Sequence, residues 1–136
     1  MDPGLCIFKE TCGDAAVIEH DGSVYSCDHY VYRENYLGNI LDRSAKEMMF
    51  SEQQIDFGQA KRNNLPIECR ECEYLYACHG GCPKNRILAS KDKVHRLNYL
   101  CEGYKRLFAH AEPYMDYMLN ELMNNRAPAN VMGESK

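Results

Sequence analysis

A chain of 136 residues with 16 basic and 20 acidic side chains carries a formal net charge of −4, so it offers no positive field broad enough for nucleic acid or an anionic membrane. Its length suits one domain with a modest core. No apolar run reaches the roughly 18 residues of a membrane span, and the residues from Met1 to Cys6 lack the basic and apolar regions of a signal peptide. The expected location is the cytoplasm, where eight cysteines point to metal rather than disulfides because reducing compartments keep thiols open.

In chain order, two β-prone runs within residues 15–27 flank Asp21-Gly22, a strong hairpin signal. Folding there can bring Cys12 near Cys27; the alternative is a plain hairpin whose ends carry unrelated core thiols. Tyr30 to Ile40 suggests an irregular connection or a short strand. Ser44 followed by Glu47 has the capping-box spacing for a helix from Ala45. Gln54, Ile55, Phe57 and Ala60 suggest a second short helix after Ser51, and Pro66 closes that region.

Cys69 to Cys82 is expected to form turns and short helical pieces held by metal more than by apolar packing, with Gly80-Gly81 giving backbone freedom before Cys82. From Gly103 to about Asn124, apolar groups recur at helical spacing, with a break or kink near Pro113, and form a packing face. Residues 125–136 are expected to be a disordered tail, leaving 1–124 as the domain. The fold class is a small metal-dependent α+β domain with one β-hairpin, cysteine-rich loops and short helices, the longest near the C-terminus.

The dense run Cys69-x2-Cys72-x5-Cys78-x3-Cys82 has metal spacing, because two to five intervening residues let the backbone turn neighbouring sulfurs toward one centre. Cys6, Cys12, Cys27 and Cys101 complete a set of eight, enough for two 4Fe-4S clusters or two structural zincs. The absence of two Cys-x2-Cys knuckles leans toward iron.

The pattern Cys12-x9-Gly22-x4-Cys27, a gap, the dense run, a second gap and Cys101 resembles the SPASM domain, the auxiliary-cluster module of a branch of radical S-adenosylmethionine enzymes. The additional Cys6 and the pair Cys27-Asp28 bring the resemblance close to the anaerobic sulfatase-maturating enzymes. It covers residues 6–101 and extends into the following helix. It implies that Cys6, Cys12, Cys27 and Cys82 hold one auxiliary 4Fe-4S cluster, and that Cys69, Cys72, Cys78 and Cys101 hold the other. In such enzymes a radical takes hydrogen from a cysteine or serine of a sulfatase polypeptide, a base takes a proton, and the surplus electron leaves through the clusters to an acceptor, giving formylglycine. Asp28 matches the base; local backbone hydrogen bonding is its plainer role.

The radical-generating motif Cys-x3-Cys-x2-Cys is absent from the chain. By itself the chain is therefore expected to oxidise nothing, and S-adenosylmethionine with a third 4Fe-4S cluster would belong to a barrel domain elsewhere in a longer parent. The chain is expected to be a fragment of that parent, because Cys6 arrives with almost no lead-in. Two other readings are another SPASM peptide maturase and a stand-alone zinc-binding interaction module, zinc or empty thiols being the aerobic outcome. His79 reads as exposed or hydrogen-bonded rather than as a ligand, and Tyr25, Tyr30, Tyr32 and Tyr36 as packing residues rather than a peptide groove. Lys84 and Arg86 either temper cluster charge or start a solvated helix.

Overall fold

A computed structural model describes residues 3–134. The chain divides into two compact units, the first running to Tyr99 and the second starting at Leu100. The fold is α+β, as expected, and among the described residues no helix is long and apolar enough to cross a membrane.

The first unit opens with a 3-10 turn over Cys6–Phe8 and then forms a three-stranded antiparallel sheet of β1 (Val17–Ile18), β2 (Ser23–Tyr25) and β3 (Tyr36–Asn39), in that order. The Asp21-Gly22 hairpin is present: Val17 pairs with Tyr25 and Ile18 with Val24, and the turn closes through Gly22 N–H to the Glu19 carbonyl at 2.9 Å. Val24 and Leu37 of this sheet bury with Met48, and Ala16 packs against them. Leu65 and Tyr74 are buried as well, while Ile18, Ile40, Leu41 and Phe50 stay exposed. A core so limited leaves much of the ordering to polar side chains.

Helix α1 (Ala45–Met49) has the foreseen capping box between Ser44 and Glu47. Helix α2 (Glu52–Asn63) follows, capped by the Ser51 hydroxyl, and buries Gln54, Gly58 and Lys61. These three recur at intervals of four and three, so they line one face. The apolar Ile55 points elsewhere and is 51% exposed. The expected helix exists, but its buried face is polar.

The dense cysteine run folds as short pieces, α3 (Ile67–Arg70) and α4 (Leu75–Cys78), followed by a 3-10 turn over Pro83–Asn85. The chain reverses after α4 through His79, Gly80 and Gly81, with φ of 46°, 72° and 62°. Two adjacent glycines supply the left-handed conformation at least cost. A second hairpin, absent from the sequence reading, pairs β4 (Arg86–Ala89) with β5 (Arg96–Asn98). No apolar alternation announces it, since Ile87, Leu88 and Ala89 are all exposed. Its turn is built on Asp92, which accepts from the Ser90 hydroxyl at 2.7 Å and from the Val94 and His95 N–H groups at 2.9 Å each.

In the second unit, α5 (Cys101–Met123) runs unbroken through Pro113, where a break or kink was expected. Proline's fixed φ is compatible with a helix, and the lost donor and the crowding of the carbonyl four residues back do not end a helix of 23 residues here. A 3-10 turn over Pro128–Asn130 leads into α6 (Val131–Glu134), and Glu121, 4% exposed, accepts from Arg126 and, at 2.7 Å, from the Asn130 amide. These contacts fold residues 126–130 back onto the helix end, while Ser135 and Lys136 lie outside the described residues.

Candidate metal centre

Helix α2 is the spine that positions three of the cysteines. Lys61, 1% exposed, donates to the carbonyls of Cys6 at 2.9 Å and Ile7 at 3.0 Å. One turn earlier, the absence of a side chain at Gly58 lets the Cys12 backbone lie on the helix: Cys12 N–H donates to the Gly58 carbonyl at 3.1 Å, and a Cβ at Gly58 would sit 2.4 Å from the Cys12 oxygen. A further turn back, the buried Gln54 amide donates to Gly13 at 2.9 Å and Ser26 at 3.1 Å. It thereby ties the residue after Cys12 to the residue before Cys27. Three polar contacts on one face thus gather sequence positions that are far apart.

Cys82 joins from the other side. The Asn98 amide donates to the Gly80 and Cys82 carbonyls at 3.2 and 3.4 Å, and Cys82 itself is buried at 7% exposure. A 3-10 turn over Asp28–Tyr30 follows Cys27 and carries the His29 ring to Cys82, with Nδ1 3.6 Å from Sγ. The electrostatics report the same neighbourhood. Burial pushes the Cys12 thiol up; the Lys61 ammonium opposes this, and Cys82 and Cys6 reinforce it as like charges. Cys27 is pushed up to about 11, first by burial, with the His29 backbone N–H working against it and Asp28 and Cys12 adding to it. Cys12 thus has Cys6 and Cys82 as electrostatic neighbours, and Cys27 has Cys12. Arg86 also belongs here: burial lowers its pKa, while Cys69, Cys12, Tyr30 and Cys82 raise it. Its guanidinium donates to the carbonyls of Lys61 at 2.8 Å and His79 at 3.1 Å. The solvated alternative for Arg86 fails.

Of the second set, Cys69 is buried and Cys72 and Cys78 are half-buried. Burial pushes the Cys78 thiol up, and the backbone N–H groups of Gly80 and Gly81 lower it. The Gly81 N–H closes on the Cys78 carbonyl at 2.9 Å, so the double glycine turns the chain beside this thiol. Cys101 starts α5 of the second unit.

Four thiols with the Lys61 and Arg86 cations beside Cys12 offer the all-sulfur donor set that a 4Fe-4S cube takes. Among the described residues Cys27, Asp28 and His29 also place one ligand atom each within 4.8 Å of one another. Cys12, Lys61 and Arg86 also line an open cavity of about 700 Å³ with Tyr30, Tyr32 and His95.

Asp28 is exposed rather than partly buried. Its carboxyl is held below the usual range, first because the Cys27 thiol donates to it, at 3.1 Å, and then by the His29 charge. That thiol proton leaves when sulfur binds metal. Tyr25 and Tyr36 pack edge to face at 5.6 Å, and Tyr30 does so on Phe57 at 5.2 Å. Tyr30, its hydroxyl pushed up to about 12 by burial and then by Cys82, Cys12 and Cys27, also faces the cavity with Tyr32. The Lys84 ammonium lies over both rings, 5.3 and 4.2 Å from their centroids. His79 caps α4 and offers its carbonyl to Arg86. Sequence reasoning missed Gln54, Gly58, Lys61, Asn98 and His29; the only available signal was the run of polar or small residues at helical spacing from Gln54 to Lys61.

Residues 6–73 match the SPASM family, described as an iron-sulfur cluster-binding domain, a stretch that holds five of the eight cysteines. The chain is 52% identical over 130 residues to a serine-type anaerobic sulfatase-maturating enzyme of Bacteroides thetaiotaomicron, covering 96% of this chain and 31% of that protein. It is 35% identical over 117 residues to a cysteine-type anaerobic sulfatase-maturating enzyme of Clostridium perfringens, covering 86% of this chain and 31% of that one. Among solved structures, native anSMEcpe with bound AdoMet and Kp18Cys peptide matches with a TM-score of 0.73 at 35% identity, over 87% of this chain and 32% of that one. The chain thus spans about a third of the length of these relatives.

Proposed function

The chain belongs to the SPASM family of iron-sulfur cluster-binding domains, and from that premise we propose that it is the auxiliary-cluster domain of an anaerobic sulfatase-maturating enzyme, serving the oxidation of a sulfatase cysteine or serine to formylglycine. Cys6, Cys12, Cys27 and Cys82 hold one 4Fe-4S cluster. Cys69, Cys72 and Cys78 hold a second, with Cys101 as its fourth ligand on the strength of the sequence pattern. Bound there, fully thiolate-ligated clusters supply one-electron transfer, having no open iron for substrate. The gathering of Cys12, Cys27 and Cys82 around Lys61 and His29 carries this reading.

The residues of the chain do the rest. Lys61 and Arg86 offset thiolate charge in a site where burial makes charge costly. Tyr30 and Phe57 pack beside Cys12 on the lining of the cavity and limit water. Asp28, exposed next to Cys27, takes the proton of the substrate's hydroxyl or thiol as the electron leaves, giving the aldehyde directly from serine and, from cysteine, a thioaldehyde that water hydrolyses with release of hydrogen sulfide. The partners are a radical S-adenosylmethionine barrel of the same parent, a sulfatase peptide and an electron acceptor. In the parent enzyme, anaerobic incubation with a sulfatase-motif peptide should yield formylglycine, and Asp28→Asn should lose product at least a hundredfold with its iron unchanged. Full activity of that variant would remove Asp28 from the mechanism; an inert parent with all clusters loaded would remove the assignment.

A further inference from the structure

His29 sits between two cysteines of the proposed first set. Its backbone N–H donates to Asp28 Oδ1 at 2.9 Å, the oxygen that the Cys27 thiol reaches at 3.1 Å, while its ring Nδ1 lies 3.6 Å from Cys82 Sγ, a normal separation for a donor to the large sulfur atom. The turn that achieves this is short and fixed: Tyr30 N–H closes onto the Cys27 carbonyl at 2.9 Å. Cys82 is held independently by Asn98 through its carbonyl at 3.4 Å, so the ring is not needed to place that backbone. A metal-bound thiolate has no proton to give, and the imidazole facing it must present Nδ1–H.

From this geometry we propose that His29 is a positioning residue that sets the reduction potential of the cluster held by Cys6, Cys12, Cys27 and Cys82, by donating an Nδ1–H hydrogen bond to Cys82 Sγ. The inference rests on the ligand assignment proposed above. Adding one electron makes a cluster more negative by one charge, and a donor on a ligand sulfur stabilises that form more than the oxidised one. In the second set the pKa of the Cys78 thiol is lowered by the backbone N–H groups of Gly80 and Gly81, which no side-chain substitution removes. The two clusters should therefore respond differently to a change at residue 29.

The test is a potentiometric titration of the iron-loaded protein followed by electron paramagnetic resonance, with iron counted in each variant. Cys82→Ser first identifies the wave that belongs to the first set by shifting or abolishing it. His29→Leu and His29→Gln should each move that wave to lower potential, by about 59 mV for a tenfold loss of the reduced form in a one-electron couple, with the other wave unmoved. His29→Asn, whose amide nitrogen occupies the place of Nδ1, should restore most of the shift. If the leucine variant fails to fold, the contrast between Gln and Asn decides. Unchanged potentials in Leu and Gln, equal shifts of both waves, or loss of iron in all three would overturn the proposal, the last making His29 a ligand. A Cys82→Ser protein with both waves intact would instead overturn the ligand assignment, and this inference with it.

Discussion

The two halves of the first unit hold their cysteines by opposite means. Around Cys69, Cys72 and Cys78 the ordering is local: Cys72 N–H closes on Cys69 at 3.2 Å, and Gly81 N–H closes on Cys78 at 2.9 Å. Around Cys6, Cys12 and Cys27 it is remote, supplied by Lys61, Gly58 and Gln54 of one helix. Spacing along the chain fixes the first half; complementarity between a helix face and three loops fixes the second. The two should fail separately.

Gly58→Val is expected to separate them most sharply. Branched carbon atoms would invade the space of the Cys12 carbonyl, 2.4 Å from an ideal Cβ, at a cost of about 3 kcal/mol or more. Iron associated with Cys12 should be lost while that bound by the dense run remains, as read by iron content and by which redox wave survives. Lys61→Met should cost about 2 kcal/mol, because two partly buried carbonyls lose a charged donor while a buried ammonium is removed. Gln54→Leu should cost about 1–2 kcal/mol through the unpaired Gly13 and Ser26 oxygens. Thermal unfolding of the metal-free chain measures both.

The pH dependence is smaller and has opposite signs in the two states. Thiols at Cys12, Cys27 and Cys78 are pushed up by burial. Between the ordinary thiol value near 8.5 and the folded value of about 11 for Cys27, the unfolded chain releases protons that the folded one keeps. The metal-free protein should therefore lose stability as pH rises through that window. Cluster retention should run the other way, falling as pH drops, by up to about tenfold per pH unit for each thiol reprotonated. Iron retained against a fixed chelator at two pH values, beside melting curves of the apo chain, checks both signs. Glu121→Gln should have the least effect on the metal sites. It weakens the return of Arg126 and Asn130 to α5, seen as faster hydrogen exchange at residues 126–130, and leaves iron content alone.

What the sequence disclosed divides along the same line. The Asp21-Gly22 hairpin, the Ser44–Glu47 box and the dense run were legible because each is coded within a few residues. The polar face of α2 was not legible, since no periodicity rule assigns burial to Gln54, Gly58 and Lys61 while Ile55 faces outward. The β4–β5 hairpin was hidden because Asp92 organises it through hydrogen bonds rather than an apolar stripe. The return of residues 126–130 depends on one carboxylate 4% exposed, which composition reads as a polar helix end.

Iron and labile sulfide, counted per 136-residue chain after anaerobic reconstitution, test the central claim most directly. Two thiolate-held cubes predict about eight of each, falling to about four in Cys12→Ala and in Cys72→Ala. Stoichiometric zinc binding without sulfide, or a full complement surviving both substitutions, would contradict it.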